Sequence, residues 1–341
     1  MAVVHLGDCR DVLATIADNS IDSIVTDPPY ELGFMGKAWD NSGIAYDVTV
    51  WQQCLRVLKP GGHLIAFGGS RTYHRLAVAI EDAGFEIRDQ IQWIYGSGFP
   101  KSHNLDGDHT GWGTALKPAH EPAVLARKPL CGTVADNVTA WGVGALNIDG
   151  TRVGSEVMNN RGMSSLGVMH DDNWKPKEVI SQSTGRWPAN VIFDEEAALL
   201  LGEPSRFFYV AKASKAEREA GLEGMETKLK QTQMRSANGT GEKNFKGGFN
   251  DTIRANIHPT VKPLELMRYL VRMVTPKGGT VLDPFTGSGS TGCAAVLEGC
   301  DFVGMDIAPK YVEIAQKRIA YYAVESPLLC VDMYHHSEVP S

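Results

Sequence analysis

Asp283-Pro284-Phe285-Thr286-Gly287-Ser288-Gly289-Ser290-Thr291-Gly292 directly follows the short apolar run 280–282 and precedes a segment with helical spacing. The glycines at 287, 289 and 292 fit the pattern G-x-G-x-x-G, in which a turn between a strand and a helix lets the backbone approach a ligand closely. The amides at the start of the helix favour a negatively charged group. The stretch therefore predicts the cofactor turn of a doubly wound α/β sheet.

The same region supplies further predicted cofactor contacts. Asp306 lies at the end of the next predicted strand, roughly 20 residues on, where ribose hydroxyls are accepted. Asp283 is placed to receive an amino group of the cofactor. The contacts predicted within the turn are Phe285, Gly287, Ser288 and Gly289. The glycines alone do not distinguish a dinucleotide from S-adenosylmethionine.

A second motif, Thr26-Asp27-Pro28-Pro29-Tyr30, follows the predicted strand 21–25. The two prolines stiffen the turn, so that the Asp27 carboxylate and the Pro28 carbonyl face one ligand group. Hydrogen bonds from an exocyclic amine to these acceptors direct its lone pair toward an electrophilic methyl group, while the Tyr30 ring stacks on a base. Asp27, Pro28, Pro29 and Tyr30 are thus the predicted catalytic residues. A rigid loop with a surface tyrosine is the alternative, but together the two motifs favour a methyltransferase.

The two motifs lie in separate halves of one predicted sheet. Residues 1–99 alternate strand and helix signals but contain no cofactor turn, whereas residues 257–325 contain the turn but only two strands. Joined, the halves form one doubly wound, Rossmann-like sheet whose natural order is circularly permuted, with neighbouring chain termini. The alternating pattern at 85–95 predicts an edge strand of this sheet.

Residues 100–256 separate the two halves and lose regular periodicity. They are rich in Gly, Ser, Asn and Pro, with isolated apolar patches at 123–126, 191–193 and 207–210. A structureless stretch of this length is uncommon inside a compact domain. We therefore predict an inserted, loop-rich target-recognition module at 100–256, and a C-terminal tail at 326–341.

The motif order resembles that of the β-type, amino-methylating DNA methyltransferases of phages, prophages and bacteria, which methylate adenine N6 or cytosine N4. His258-Pro259-Thr260-Val261-Lys262-Pro263 is similar to the family segment before the cofactor turn, and Gly7-Asp8 resembles the loop that contacts the cofactor adenine. Gly68-Gly69-Ser70-Arg71 resembles another cofactor-side loop. The resemblance implies S-adenosylmethionine as the cofactor, Asp8 and Lys262 among its contacts, and double-stranded DNA as the substrate.

The resemblance also implies direct methyl transfer to a base flipped out of the duplex, without a covalent enzyme intermediate. An Asp-first catalytic motif is linked more often to adenine N6 than to cytosine N4 in this family. Adenine N6 is therefore favoured, and cytosine N4 is the alternative. Trp93 and Phe99 are candidates for a second aromatic wall around the base, although core packing is an equally good interpretation of Trp93.

Predicted DNA contacts lie between Arg206 and Arg254, where basic side chains outnumber acids and would bind phosphates. The basic residues within this stretch are Lys212, Lys215, Arg218, Lys228, Lys230, Arg235, Lys243 and Lys246. The mixed charges of 214–224 are instead typical of a solvated helix. The formal net charge of -7 argues against a generally basic surface. It does not give the local charge of a DNA-binding groove.

Composition excludes several other classes of protein. The six cysteines contain no C-x-x-C pair, which argues against a disulfide framework and a zinc site, so no metal is predicted. No stretch approaches the roughly 20 apolar residues that span a bilayer, and a cytoplasmic location without a membrane partner is expected. A homodimer is left open, and no obligate protein partner is evident. The remaining alternatives are a non-catalytic DNA-binding regulator and an NAD-dependent oxidoreductase.

Overall fold

The computed structural model describes residues 1–32, 38–96, 98, 102–164, 177–212, 214, 216–230, 252–258 and 261–332. The strands in these ranges are β1 (Ala2–Leu6), β2 (Ile21–Thr26), β3 (Leu58–Phe67), β4 (Glu86–Ile94), β5 (His120–Arg127), β6 (Val153–Ser164), β7 (Lys177–Arg186), β8 (Val191–Asp194), β9 (Tyr209–Ala211), β10 (Lys228–Lys230), β11 (Thr252–Arg254), β12 (Thr280–Asp283) and β13 (Asp301–Asp306). The helices there are α1 (Cys9–Thr15), α2 (Val48–Val57), α3 (Tyr73–Asp82), α4 (Val134–Trp141), α5 (Glu195–Leu201), α6 (Leu264–Val274), α7 (Ser290–Leu297) and α8 (Pro309–Asp332).

Nine strands of the described chain form one sheet, in the order β1-β13-β12-β2-β3-β5-β4-β8-β9. The first strand of the chain pairs in parallel with the last, Ala2 lying opposite Phe302. Strand β12, which leads into the cofactor turn, pairs in parallel with β2, which leads into Asp27. The predicted circularly permuted, doubly wound sheet is confirmed, and the two motifs follow adjacent strands.

Helices cover both faces of this sheet. Leu64 and Ala66 of β3 belong to the buried cluster that contains residues of α1, α2 and α3. Ile65 and Phe67 point to the other face and belong to the cluster that contains residues of α6, α7 and α8. Successive side chains of a strand point to opposite faces, so continuous apolar runs such as that of β3 form where both faces are buried.

Strand β5 runs opposite to the other strands of the main sheet. It pairs antiparallel with β3 on one side and with β4 on the other, while the neighbouring pairs are parallel. The edge-strand prediction for 85–95 is therefore wrong, because β4 lies between β5 and β8. The reversed direction of β5 also brings its first residues, His120 and Glu121, to the edge of the sheet where the parallel strands end.

The middle of the chain contributes to the main sheet. The three apolar patches predicted within 100–256 lie in or next to β5, β8 and β9, which the sheet includes. The other described strands of this region form a hairpin, β6 with β7, and a short pair, β10 with β11. At the C-terminus α8 continues to Asp332, so its helix extends beyond the boundary predicted at 325. No helix in the described ranges is both long and apolar enough to cross a membrane.

The segment that sequence analysis assigned to a solvated helix differs from that prediction. It contains a short 3-10 helix, Ala216–Arg218, and its charged side chains bind backbone groups elsewhere. Glu217 Oε2 accepts from the amide of Leu264 at 3.2 Å, and Glu219 Oε2 accepts from the amide of Ala255 at 2.9 Å. The mixed charges of the segment do not predict such contacts. The same side chains can form either exposed ion pairs or buried hydrogen bonds to the backbone.

Acid is expected to destabilise the fold through His63 on β3. The side chain is 4% exposed, and burial, with the nearby charges of Arg127 and Arg88, lowers its pKa to about 4. The unfolded chain, with an ordinary histidine pKa near 6.5, then binds more protons than the native state below that pH. Stability is lost as the pH falls through this window, by about 3 kcal/mol at pH 4. Urea unfolding of the native chain and His63→Gln at pH 4 to 7 measures this, and an equal pH slope in both would contradict it.

Candidate active site

The two motifs meet at one edge of the main sheet. They line a single cleft of about 1100 Å³. From the N-terminal half the cleft receives Asp8 and 27–30, and from the C-terminal half it receives 283–288 and Asp306. Parallel strands of a doubly wound sheet present their carboxyl ends at one side, where ligands bind. The permuted connectivity therefore leaves the position of the site unchanged.

A hydrogen bond joins the two motifs directly. Thr26 Oγ1 donates to Asp283 Oδ1 at 2.6 Å, and the amide of Phe285 donates to the same oxygen at 3.1 Å. Asp283 is 2% exposed. Burial outweighs these hydrogen bonds and raises the pKa of Asp283 to about 6. The carboxylate therefore lies where a cationic ligand could stabilise its charged form.

The catalytic motif is held by a buried lysine. Lys262 Nζ donates to Asp27 Oδ2 at 2.6 Å and to Tyr30 Oη at 3.0 Å, and it lies 3.1 Å from Glu121 Oε2. Tyr30 Oη in turn donates to Glu121 Oε2 at 2.9 Å. These four side chains come from three segments far apart in the sequence. The network fixes one oxygen of Asp27 and the orientation of the Tyr30 ring.

The other oxygen of Asp27 has a different environment. Asp27 Oδ1 is buried and has no hydrogen-bond partner among the described residues, although Asp27 lines the cleft. A buried carboxylate oxygen without a donor costs free energy unless a ligand supplies one. The arrangement therefore leaves an acceptor for one N–H group of a ligand.

The charges of this network are set by their neighbours. Burial alone would lower the pKa of Lys262, but the carboxylates of Asp27 and Glu121 outweigh it and raise that pKa. Burial, reinforced by the same two carboxylates, holds the pKa of Tyr30 well above its ordinary value. Lys262 is thus an ammonium ion and Tyr30 a neutral phenol at physiological pH. Neither group is suited to accept a proton there.

The cofactor turn brings its backbone close to neighbouring side chains. Gly287 has φ +50°, and a Cβ there would lie 2.8 Å from His258 Nε2. Asp306 braces the turn, because its Oδ2 accepts from the amide of Gly287 at 3.0 Å and its Oδ1 from that of Ala308 at 2.8 Å. A close backbone approach beside a half-buried carboxylate fits an adenosine-containing ligand.

The cleft brings most of the predicted site residues together. Those that line it are Asp8, Asp27, Pro28, Pro29, Tyr30, Lys262, Asp283, Phe285, Gly287, Ser288 and Asp306. Gly289 lies behind the turn, against Ala315 of α8. Lys262, predicted as a cofactor contact, lines the cleft and donates to the catalytic motif. Asp8 Oδ1 accepts from Arg10 Nε at 2.9 Å, a bond that lowers the pKa of Asp8.

Trp93, the described candidate for an aromatic wall, packs against the core. Trp93 packs against the main core cluster and lies 5.3 Å from the Tyr95 ring, centroid to centroid, which agrees with the core interpretation. Tyr95, two residues further along the strand, lines the cleft. Phe99 lies outside the described residues.

Among the predicted DNA contacts, Arg218 Nη2 donates to the carbonyl of His258, and Lys215, Arg235, Lys243 and Lys246 lie outside the described residues.

Glu121 is the functional residue that sequence reasoning missed. Its position follows from the register of β5, in which Glu121 lies opposite Trp93. The apolar patch at 123–126 is long enough to indicate a strand, but its neighbours and direction are not encoded locally. Described His, Cys, Asp and Glu side chains form no group that could hold a metal ion.

Comparison with known proteins identifies the family. A model of the DNA methylase family, which covers N6 and N4 methyltransferases, matches residues 21–317 and so includes both motifs. This chain belongs to the DNA methylase family. S-adenosylmethionine is accordingly the cofactor, and the glycine turn, Asp283 and Asp306 are residues of the cleft that fit it.

Individual relatives of this DNA methylase match over shorter stretches. The type II methyltransferase M2.DpnII of Streptococcus pneumoniae is 43% identical over 65 residues, 19% of this chain and 24% of that protein. The type II methyltransferase M.BglI of Bacillus subtilis is 39% identical over 67 residues, 20% of this chain and 19% of that protein. The matches thus span a quarter or less of each relative.

The fold also occurs among solved structures. One of them is PvuII DNA methyltransferase, described as cytosine-N4-specific. Its superposition covers 95% of this chain and 92% of the PvuII chain, with a TM-score of 0.54 and 15% identity. At this identity the likeness establishes the shared fold alone. The likeness therefore assigns no target base to this chain.

Cofactor binding by this DNA methylase is expected to tighten as the pH rises from 5 to 7, with a midpoint near 6, the raised pKa of Asp283. The cofactor is cationic at its sulfonium and amino groups, so it favours the ionised carboxylate. Below the midpoint a proton must first leave, and affinity falls by up to about tenfold per pH unit. Equilibrium binding of S-adenosylmethionine at constant ionic strength measures this. Asp283→Asn keeps an oxygen that accepts from Thr26, and its cofactor affinity should show no midpoint near pH 6. If the midpoint persists in this variant, it does not arise from Asp283.

Proposed function

We propose that this chain transfers the methyl group of S-adenosylmethionine to the exocyclic N6 amino group of adenine in double-stranded DNA. The observation that carries the proposal is Asp27 Oδ1, a buried acceptor without a hydrogen-bond partner among the described residues. Asp27 lines the same cleft as the glycine turn. An amino group that donates to this oxygen lies within one cavity with the cofactor site.

S-adenosylmethionine supplies an electrophilic methyl group on its sulfonium sulfur. The residues proposed to hold it are Asp8, Asp283, Phe285, Gly287, Ser288 and Asp306. Placing nucleophile and methyl donor in one cleft removes much of the entropic cost of their encounter.

The protein's own contribution is to orient the amino nitrogen. Asp27 Oδ1 and the Pro28 carbonyl accept its two N–H bonds, so that its lone pair points away from them. Lys262 holds Asp27 Oδ2 at 2.6 Å, which keeps Oδ1 turned toward the substrate. The Tyr30 ring, fixed through Glu121 and Lys262, offers a face for the base.

One proton has to leave the nitrogen once it is methylated. Asp27 Oδ1 is already bonded to that nitrogen and is the proposed acceptor. Lys262 is excluded because its pKa is raised, and Tyr30 because its own is raised as well. The step needs no covalent enzyme intermediate.

Adenine is proposed over cytosine because the catalytic motif begins with Asp27. Cytosine N4 is the second candidate, since its amino group would meet the same two acceptors. PvuII methyltransferase, whose fold is shared, is described as specific for that position, but the low identity does not transfer its specificity.

The proposed partner is duplex DNA, and the proposed setting is the cytoplasm. Arg218 is not proposed as a phosphate contact, because its guanidinium already donates to the His258 carbonyl. Lys212 is exposed and remains a candidate. The homodimer left open by the sequence is tested by sedimentation of the full chain.

The deciding experiment is expression in a methylation-deficient bacterial host, followed by digestion of its DNA and mass spectrometry of the nucleosides. N6-methyladenine that depends on Asp27 establishes the proposed reaction. N4-methylcytosine moves the substrate and keeps the chemistry. If neither methylated base is found and the chain still binds DNA in vitro, a non-catalytic regulator is favoured. Binding of NAD in place of S-adenosylmethionine favours an oxidoreductase.

A further inference from the structure

Arg318 of α8 lies beneath the cofactor turn, outside the cleft. Its side chain is 1% exposed. Nη1 donates to the carbonyl of Ser288 at 2.6 Å and contacts the Ser288 hydroxyl at 3.2 Å. In the described part of the chain no carboxylate is in ion-pair contact with Arg318. Such burial of a guanidinium is costly, so its bonds to carbonyl oxygens are the compensation.

The helix that carries Arg318 forms the floor of the turn. A Cβ at Gly289 would lie 2.9 Å from Ala315 Cα, and one at Gly292 would lie 2.4 Å from Ile319 Cδ1. Residues 315, 318 and 319 share one face of α8, because residues three and four apart are neighbours on a helix. The glycines of the turn therefore pack directly on this face.

Arg318 fixes the orientation of one peptide group in the turn. The carbonyl of Ser288 accepts from Arg318, and the amide of Gly289, which belongs to the same peptide plane, donates to Thr286 O at 2.8 Å. Because a peptide group is planar, these two bonds set the rotation of the plane. This peptide belongs to the turn whose residues 283–288 line the cleft.

The same guanidinium reaches the middle of the chain. Arg318 Nη2 donates to the carbonyl of Glu217 at 3.1 Å. The carboxylate of Glu217 accepts from the amide of Leu264, two residues after Lys262. Arg318 thus links the floor of the cofactor turn to a segment that also bonds the first residue of α6.

We propose that Arg318 is a positioning residue that holds the cofactor turn in its ligand-binding conformation and ties it to residue 217. The inference rests on the proposed function, since it takes S-adenosylmethionine as the ligand of the turn. Lysine at 318 retains the charge but cannot bridge Ser288 and Glu217 with a planar fork. Loss of this bridge loosens the turn in the ligand-free protein. Binding must then supply the free energy that orders the turn, so affinity falls.

The test compares Arg318→Lys and Arg318→Met with Arg272→Met. Arg272 is a matched control, because its guanidinium joins α6 to Glu298 at 2.6 and 2.8 Å and does not line the cleft. Calorimetry of S-adenosylmethionine binding and thermal melts are measured for each chain. We expect the Kd for S-adenosylmethionine to rise about tenfold in Arg318→Lys and more in Arg318→Met. The KM for the cofactor should rise by a larger factor than the factor by which kcat at saturating cofactor falls. Arg272→Met should melt earlier with Kd unchanged.

Three outcomes decide between the explanations. If Arg318→Lys binds the cofactor as the native chain does, the positioning role is rejected. If Arg272→Met weakens binding as much for an equal loss in melting temperature, the effect is general destabilisation and the proposal is also rejected. If the native chain itself binds no S-adenosylmethionine, the proposed function has failed instead. Should Arg318→Met not fold, Arg318→Lys decides alone.

Discussion

Asp27→Ala is expected to reduce turnover by about 10³-fold or more, while the Kd for S-adenosylmethionine changes by less than about threefold. The substitution removes the acceptor that orients the amino nitrogen and receives its proton. It leaves the glycine turn and Asp283 intact, because Thr26, and not Asp27, bonds to Asp283. Single-turnover methyl transfer to unmethylated DNA and calorimetric cofactor binding measure the two quantities.

The control for this variant follows from the buried lysine. Asp27→Ala removes the nearer partner of Lys262, at 2.6 Å, from a side chain that is 7% exposed, and leaves Glu121 at 3.1 Å as its remaining carboxylate. Breaking a buried pair from one side costs up to about 3 kcal/mol of stability, and less where a second carboxylate stays in contact. The double variant Asp27→Ala, Lys262→Met should recover much of that stability and none of the turnover. Recovery of turnover would mean that Asp27 acts only through the fold, and substantial activity in the single variant would reject the mechanism.

Gly287→Val is expected to weaken binding of S-adenosylmethionine by about 100-fold or more. At φ +50° a β-branched side chain is strained, and its Cβ would lie 2.8 Å from His258 Nε2. The added methyl groups also occupy space along the turn that lines the cleft. Equilibrium dialysis with labelled cofactor measures the loss, and circular dichroism checks the fold.

Gly278→Val separates backbone strain from crowding. Gly278 has φ +75°, and no atom lies within 4 Å of a Cβ built there. It lies in the turn between α6 and β12, away from the cleft lining. This variant should lose comparable stability and bind the cofactor normally. Equal losses of binding in both variants would show that strain alone explains the effect, and normal binding by Gly287→Val would remove the turn from the cofactor site.

Local patterns in the sequence were sufficient for the fold class and for both ends of the cleft. The glycine turn and the Asp27 motif each follow a strand directly, so their places in the fold depend on a few consecutive residues. Neither half could complete a sheet alone, and the permuted arrangement followed from that. The pairing of β1 with β13 and the shared cleft agree with this reasoning.

The tertiary structure alone decided which side chains meet. Glu121 reaches the catalytic motif because β5 enters the sheet antiparallel between β3 and β4, and Lys262 lies 235 positions from Asp27 in the chain. Strand order and direction depend on long-range packing, which no local periodicity records. The same reason explains Arg318, whose sequence neighbours describe an ordinary helix face while its guanidinium supports the cofactor turn. The sequence by itself determined the two motifs and the sheet between them; three-dimensional packing decided the charged network that orients their residues.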